Sequence, residues 1–257
     1  MVKDNYIDIH SHIIPKVDDG SQSIEESLLM LDCAYNEGIR TMIATPHYGI
    51  ENGYAPSKST VEEGFAQLKD AAKALHPDLK LYLGCELFAA GDIKKRAVGR
   101  TMAETDYLLV EFTEYDANYV SYAEICNTMI GLAADGTYRP ILAHANRYRD
   151  FADHAVELRH LVDCGVYLQI NAFDLNENPK LRVRQLAQWL VDNELAHFLG
   201  TDAHRVERQR PDQKLRPPIM RSGVDYLYDN YEEKYVDGLV RNNAEIMLQN
   251  KVVPLKR

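Results

Sequence analysis

Seven short apolar runs punctuate the chain, at 6–9, 41–45, 79–84, 107–112, 141–143, 166–170 and 197–199. Most are apolar at consecutive rather than alternate positions, as parallel strands covered on both faces should be. Helical periodicity fills the intervals. Ser23-Ile24-Glu25-Glu26 reads as a capping box, after which Leu28, Leu31, Ala34 and Tyr35 recur at helical spacing. Gly38 is placed to end that helix in a left-handed conformation. Thr60-Val61-Glu62-Glu63 repeats the start signal ahead of Phe65, Leu68, Ala72 and Leu75. Further helices are predicted near 118–133, 153–163, 179–193 and 231–249, with Trp189 packed among Leu186, Leu190 and Val191. Strand–helix alternation along the whole chain implies a parallel sheet. Seven repeats without a Gly-x-Gly-x-x-Gly turn favour an α/β barrel over a dinucleotide-binding sheet. No linker or low-complexity tract divides the chain, so one domain over residues 1–257 is expected.

The ends of these runs collect metal-binding side chains. His10, His12 and Asp19 follow the first, His47 the second and Glu86 the third. Glu111 lies in the fourth, His144 ends the fifth with Arg147 three residues on, and Asp202 and His204 follow the seventh. The sixth offers only the neutral Asn171. In parallel barrels the loops at the carboxyl ends of the strands converge on one rim. Five histidines and four carboxylates at one rim exceed what packing requires. Glu111 is the sharpest single signal: it follows Leu108-Leu109-Val110, and a carboxylate buried there without a cation would be costly by several kcal/mol. Mixed imidazole and carboxylate donors suit manganese, iron or zinc rather than calcium. Nine donors exceed the needs of one ion, so two or three ions bridged by a carboxylate are expected. His76, His154, His160 and His197 fall outside this pattern and read as surface or structural residues, as do Tyr226, Tyr228, Tyr231 and Tyr235.

Composition narrows the class. The 257 residues are 46% hydrophobic and 26% charged, which excludes a disordered chain, a fibrous repeat and a disulfide scaffold. Thirty-nine acidic side chains against 29 basic ones leave a net charge of −10, which argues against a general nucleic-acid binder. No apolar run approaches the ~18 residues of a membrane span, and Met1-Val2-Lys3-Asp4-Asn5-Tyr6 lacks the apolar stretch of a secretory signal. A cytoplasmic protein without membrane insertion is expected. The four cysteines form no Cys-x-x-Cys and read as free thiols. A cysteine phosphatase needs Cys, five residues, then Arg; the sixth positions on are Ile39, Gly91, Leu132 and Ile170.

Asp8-Ile9-His10-Ser11-His12, Val17-Asp18-Asp19-Gly20-Ser21, Ala44-Thr45-Pro46-His47-Tyr48, Gly84-Cys85-Glu86, Glu111-Phe112, Ala143-His144-Ala145-Asn146-Arg147-Tyr148 and Thr201-Asp202-Ala203-His204 resemble the polymerase and histidinol phosphatase superfamily. Within it they look like the bacterial protein-tyrosine phosphatase branch of the CpsB/YwqE type, tied to capsule and exopolysaccharide synthesis. The resemblance implies a distorted seven-stranded (β/α) barrel with three divalent ions, usually manganese, and a phosphotyrosine protein, a bacterial tyrosine kinase of polysaccharide synthesis, as substrate. It implies that His10, His12, Glu86 and Asp202 hold one ion; Glu86, Glu111 and His144 a second; and Asp19, His47 and His204 a third. Arg147 matches a phosphate-binding arginine of that family. Arg216, before Pro217-Pro218, fits the context of a second, with Arg205 as a further candidate for binding the substrate; Arg205, Arg208 and Arg210 lie in a segment longer than usual. Water acidified by the ions would attack phosphorus in line, with Asp202 and His204 as candidate general acids. The alternatives are a phosphatase of histidinol phosphate or another small phosphomonoester and, more distantly, a metal-dependent nuclease or amidohydrolase.

Overall fold

The computed structural model describes residues 4–49, 53–113, 120–208 and 214–255. Each apolar run carries a strand: β1 (Tyr6–Ser11), β2 (Ile39–Ala44), β4 (Lys80–Leu83), β6 (Tyr107–Glu111), β7 (Arg139–Leu142), β8 (Tyr167–Asn171) and β9 (Phe198–Gly200). Two more strands, β3 (His47–Tyr48) and β5 (Glu86–Phe88), were not foreseen. They resume pairing after short gaps at Thr45-Pro46, where proline offers no N–H to a ladder, and at Gly84-Cys85. The paired strands therefore form a three-stranded sheet, β1-β2-β4, and a six-stranded sheet, β3-β5-β6-β7-β8-β9, rather than the single seven-stranded ring expected. Every pairing between strands is parallel. Backbone bonds link the two sheets: Asp202 N–H donates to the His10 carbonyl (2.7 Å) and His12 N–H to that of Ala203 (2.8 Å).

The six-stranded sheet is strongly curled. β6 and β9 lie three strands apart, a separation of about 14 Å in a flat sheet. Yet the Tyr107 and Phe198 rings on them are 6.1 Å apart. Ile7, Ile9, Ile43, Leu109, Ile141 and Tyr167 join those rings in a cluster of their own, an interior core. Ala244, Met247 and Val253 close one end of it. Tyr107 and Tyr167 tie the C-terminal tail there, through the carbonyls of Lys251 (2.8 Å) and Val253 (2.9 Å).

Helices α1 (Ile24–Asn36), α2 (Lys58–Leu75), α3 (Ile93–Ala97), α4 (Tyr122–Ala133), α5 (Ala155–Asp163), α6 (Leu181–Asp192), α7 (Arg221–Asn230), α8 (Glu233–Asp237) and α9 (Asn243–Leu248) occupy the intervals. Ser23 caps α1 as expected, accepting from Glu26 N–H at 3.1 Å, but the Glu26 carboxylate takes the N–H of Gln22 rather than that of Ser23. Gly38 follows with φ +96°. α2 starts one turn earlier than Thr60 suggests, because Ser57 accepts from Thr60 N–H (3.1 Å) and so caps an additional turn. The helix expected over 231–249 is interrupted by a π turn at Gly238–Asn242. An extra residue rotates the following helix by about 100°. Val236, Leu239 and Val240 thus face the outer core while Ala244 and Met247 face the interior one. The short α3 and α7 were not foreseen; α7 is amphipathic but polar on average, with Val224 and Leu227 its buried apolar side chains. No helix among the described residues is long and apolar enough to cross a membrane.

His197, set aside on sequence, is buried. Its Nδ1 accepts from Leu168 N–H at 3.2 Å, and burial pushes its pKa from 6.5 down to about 3. Between those values the unfolded chain binds a proton that the folded chain refuses, so stability falls as pH drops below 6.5. At pH 5 the loss is about 2 kcal/mol. His197→Asn keeps an acceptor at the Nδ1 position and should show a smaller drop in melting temperature from pH 7 to pH 5 than the unmodified chain, with chelator present throughout. Equal drops would contradict this.

Candidate metal centre

All nine donors gather at the carboxyl ends of the strands. A register shift between Asp8 and Ser11 interrupts the regular pairing of β1 with β2. It lets His10 and His12 both turn inward, with their Nε2 atoms 3.3 Å apart. Glu86, the first residue of β5, places Oε2 at 3.1 Å from His10 Nε2, 3.2 Å from His12 Nε2 and 3.1 Å from His47 Nδ1. Its Oε1 meets His144 Nε2 at 3.0 Å. Asp202 Oδ1 stands 3.7 and 3.5 Å from the same His10 and His12 nitrogens. His47 Nδ1 also meets Glu111 Oε1 at 2.8 Å, while its Nε2 faces Asp19 at 3.4 Å, and Asp19 is 3.5 Å from His204 Nε2. Four overlapping donor sets result: His10, His12 and Asp202; His10, Glu86 and His144; His47, Glu86 and Glu111; and His12, Asp19, His47 and His204. His47 thus stands between two sets, where the family resemblance placed it in one.

The donor atoms suit cations. The Gln169 carbonyl oxygen accepts from His144 N–H at 2.7 Å, so it also accepts from His10 Nδ1 at 3.2 Å, which must carry the ring proton. His12 Nδ1 donates to Asp18 at 2.8 Å. With Nδ1 protonated on each ring, the Nε2 atoms are those left to bind an ion. They face each other and Glu86 Oε2, a buried oxygen with no hydrogen-bond donor among the described residues. Without an ion, Asp18 raises His12 well above 6.5 although burial and His47 oppose this. Donors about 2.1 Å from an ion at tetrahedral angles lie about 3.4 Å apart, the spacing seen around His10, His12, Glu86 and Asp202. Residues and group fit.

Electrostatics agree. Burial favours the neutral form of Glu86, but the imidazoles of His10 and His47 hold its carboxyl well below the usual range. Glu111 is pushed up by burial and by the Glu86 charge. Burial works against a charged His47, yet Glu111 and Glu86 raise it well above 6.5. Burial, then Arg216 and His12, push His204 down to about 3, so it is neutral near pH 7. His144 (φ +32°) and Asp202 (φ +54°) hold left-handed backbone that non-glycine residues rarely adopt, a common feature of functional sites.

A second ring of contacts escaped the sequence reading. Asp18 holds His12 Nδ1 together with the N–H groups of Gly20 and His47, both at 2.9 Å. A Cβ on Gly20 would collide with the His12 carbonyl, so this loop needs glycine there. The Gln169 amide donates to Asn171 (2.7 Å), which donates to Asp202 Oδ2 (3.1 Å). These two β8 side chains thus orient His10, His144 and Asp202. Their signal was legible: Gln169 is polar in a buried run, the argument already applied to Glu111. Gln169→Leu is expected to lower metal affinity by about 10–100-fold, as loss of such supports does, measured by titration calorimetry. Unchanged affinity would exclude the relay.

Arg147 donates Nε and Nη2 to the buried Asp174 (2.9 and 3.3 Å) and Nη1 to Asp202 Oδ2 (2.7 Å). Arg216 reaches the same Asp202 oxygen and places Nη1 at 3.2 Å from His204 Nε2. Arg205 is buried and donates to the Asp19 carbonyl, so it braces that loop. Arg208 is exposed, and Arg210 lies outside the described residues.

Residues 6–249 match the family model of capsular polysaccharide synthesis proteins, CpsB/CapC. The chain belongs to this family. It is 30% identical to tyrosine-protein phosphatase YwqE of Bacillus subtilis, over 98% of this chain and 97% of that protein. It is 27% identical to tyrosine-protein phosphatase CpsB of Streptococcus pneumoniae, over 96% of this chain and all of that protein. A solved structure from work on those two proteins, described as unique metal-dependent tyrosine phosphatases, superposes with a TM-score of 0.82 at 30% identity, covering 98% of this chain and 100% of that one.

Proposed function

We propose that the protein is a metal-dependent protein-tyrosine phosphatase acting in the cytoplasm on a phosphotyrosine protein of capsule or exopolysaccharide synthesis, a tyrosine kinase of that system. The observation that carries this reading is the meeting of Arg147 and Arg216 at Asp202 beside nine inward-facing donors, in a chain of the CpsB/CapC family. Two guanidinium groups beside a cation centre match the charge of a phosphoryl group in transfer. We read the two sheets as one distorted seven-stave barrel in a single domain, with β3 and β5 continuing β2 and β4.

His10, His12, Glu86 and Asp202 would hold one ion, Glu86, Glu111 and His144 a second, and Asp19, His47 and His204 a third, with manganese as the expected metal and iron or zinc as substitutes. When bound, the ions supply Lewis-acid charge and acidify water for attack on phosphorus. Arg147 and Arg216 would grip the phosphate oxygens, fixed by Asp174 and by the backbone pairing of Arg205 with Arg216 (3.2 Å). Burial opposes a charged Asp202, yet Arg216 and His10 hold it well below the usual carboxylate range. The neutral His204 keeps its Nδ1 proton on the Asp202 carbonyl (2.9 Å), so neither is a strong acid donor near pH 7 in the metal-free chain. A tyrosine leaving group, with its pKa near 10, needs less such help than an alkyl alcohol.

The test compares turnover of a phosphotyrosine peptide and of histidinol phosphate by manganese-loaded protein, with chelator and thiol-alkylation controls. Preference for the peptide, loss on chelation and survival of alkylation are expected. Preference for histidinol phosphate would transfer the assignment to the small-molecule branch, and full activity after exhaustive chelation would end the metal proposal.

A further inference from the structure

Outside the metal centre, a cavity of about 330 Å³ opens between the first turn of α2 and residues 99–104. This is the small end of the range for ligand pockets, enough for one large side chain. Its back wall is formed at the gaps between β2 and β3 and between β4 and β5, by Pro46, His47, Gly84 and Cys85. The same gaps deliver His47 and Glu86 to the metal centre, so cavity and centre share His47 as a common wall.

The lining has an apolar side and two cations, Arg100 and, at the rim, Lys58. Tyr48, Pro56, Val61 and Leu83 supply the apolar side. The Arg100 guanidinium carbon lies over Tyr48, 3.5 Å from the ring centroid, and Nη1 donates to the carbonyls of Arg96 (3.0 Å) and Val98 (3.4 Å). No carboxylate among the described residues pairs with it. Of the two acidic residues at the rim, Glu62 engages Lys58 at 3.6 Å and Glu104 is exposed. A guanidinium has five N–H donors, so most of those on Arg100 remain for an anion. Stacking on an aromatic ring pre-organises it for that use.

We propose that this cavity is a specificity subsite for the segment flanking the phosphotyrosine, taking a large apolar side chain against Val61 and Leu83 and a neighbouring acidic residue on Arg100. The proposal rests on the phosphotyrosine reading above. An extended chain advances about 3.3 Å per residue, so a residue within three positions of the phosphotyrosine has the reach to pass from the shared wall into the cavity. The subsite makes no contact with the phosphoryl group, so it should act on protein substrates and leave small aryl phosphates alone.

The test uses the full manganese-loaded chain with p-nitrophenyl phosphate, a phosphotyrosine peptide flanked by alanines, and a set placing a Leu-Glu pair at each position within three of the phosphotyrosine. The wild type should prefer the best Leu-Glu peptide over the alanine peptide by about tenfold or more in kcat/KM, through KM, as burial of one large apolar side chain implies. Val61→Trp, which fills the cavity, should abolish the preference, and Arg100→Ala should remove the part owed to Glu. Both should hydrolyse p-nitrophenyl phosphate within about twofold of wild type, which also shows that they fold. Absence of any flank preference in the wild type overturns the subsite, as does a parallel fall on p-nitrophenyl phosphate in both variants. If the wild type turns over p-nitrophenyl phosphate but no phosphotyrosine peptide, the phosphotyrosine reading falls and the subsite with it.

Discussion

Glu86→Gln should reduce the bound metal by two ions per chain and turnover by about a thousandfold or more. The side chain keeps its shape but loses its charge at the one position where both carboxylate oxygens serve imidazoles. Oε2 faces His10, His12 and His47, and Oε1 faces His144. Among the described residues no other carboxylate is paired with four histidines at this distance. An ion contributes several kcal/mol of charge stabilisation to phosphoryl transfer, and each 1.36 kcal/mol is tenfold in rate. Metal analysis of the purified variant, beside its turnover of a phosphotyrosine peptide, checks both halves. A variant with full metal content and undiminished rate would remove Glu86 from its bridging position.

Arg147→Ala should leave the metal content intact and lower kcat/KM by about 10²–10³, the usual effect of losing one donor to developing charge. Inorganic phosphate should also inhibit it more weakly. Asp174 is fully buried and takes two N–H groups of Arg147, with Asn146 (3.1 Å) and Asn178 (2.7 Å) as further donors. It fixes the guanidinium while leaving Nη1 directed at the centre. Arg147→Lys should therefore restore little, because an ammonium cannot satisfy Asp174 and a phosphate oxygen together in the same fork. Unchanged kinetics in Arg147→Ala would take it out of the site. Wild-type kinetics in Arg147→Lys would show that charge alone suffices there.

Much of this centre is legible before folding is considered. A buried carboxylate such as Glu111 cannot be explained by packing, and neither can histidines repeated at strand ends. Those signals are local, because a polar residue inside an apolar run is visible in a window of five. The same reasoning applied to Gln169 would have found the β8 relay. Asp174 and Asp18 carried no such mark, since one follows a strand and the other lies beside an acidic neighbour. The choice among Arg205, Arg208, Arg210 and Arg216 was equally closed to sequence. Arg205 and Arg216 are eleven residues apart yet paired through their backbones, and only that pairing sends one side chain to Asp19 and the other to Asp202.

The sequence by itself determined seven of the strands described, the donor types and the lack of a Cys-x5-Arg motif, because hydrophobic periodicity and side-chain chemistry are properties of short windows. Tertiary structure alone decided which donors lie close enough together to hold an ion, that His47 stands between two such sets, and that Arg216 rather than Arg205 reaches Asp202. It also decided where the strands break and the specificity cavity opens. Those are distances between residues up to about two hundred positions apart, set by how far the sheet curls and where β1 slips its register, and no local pattern encodes them.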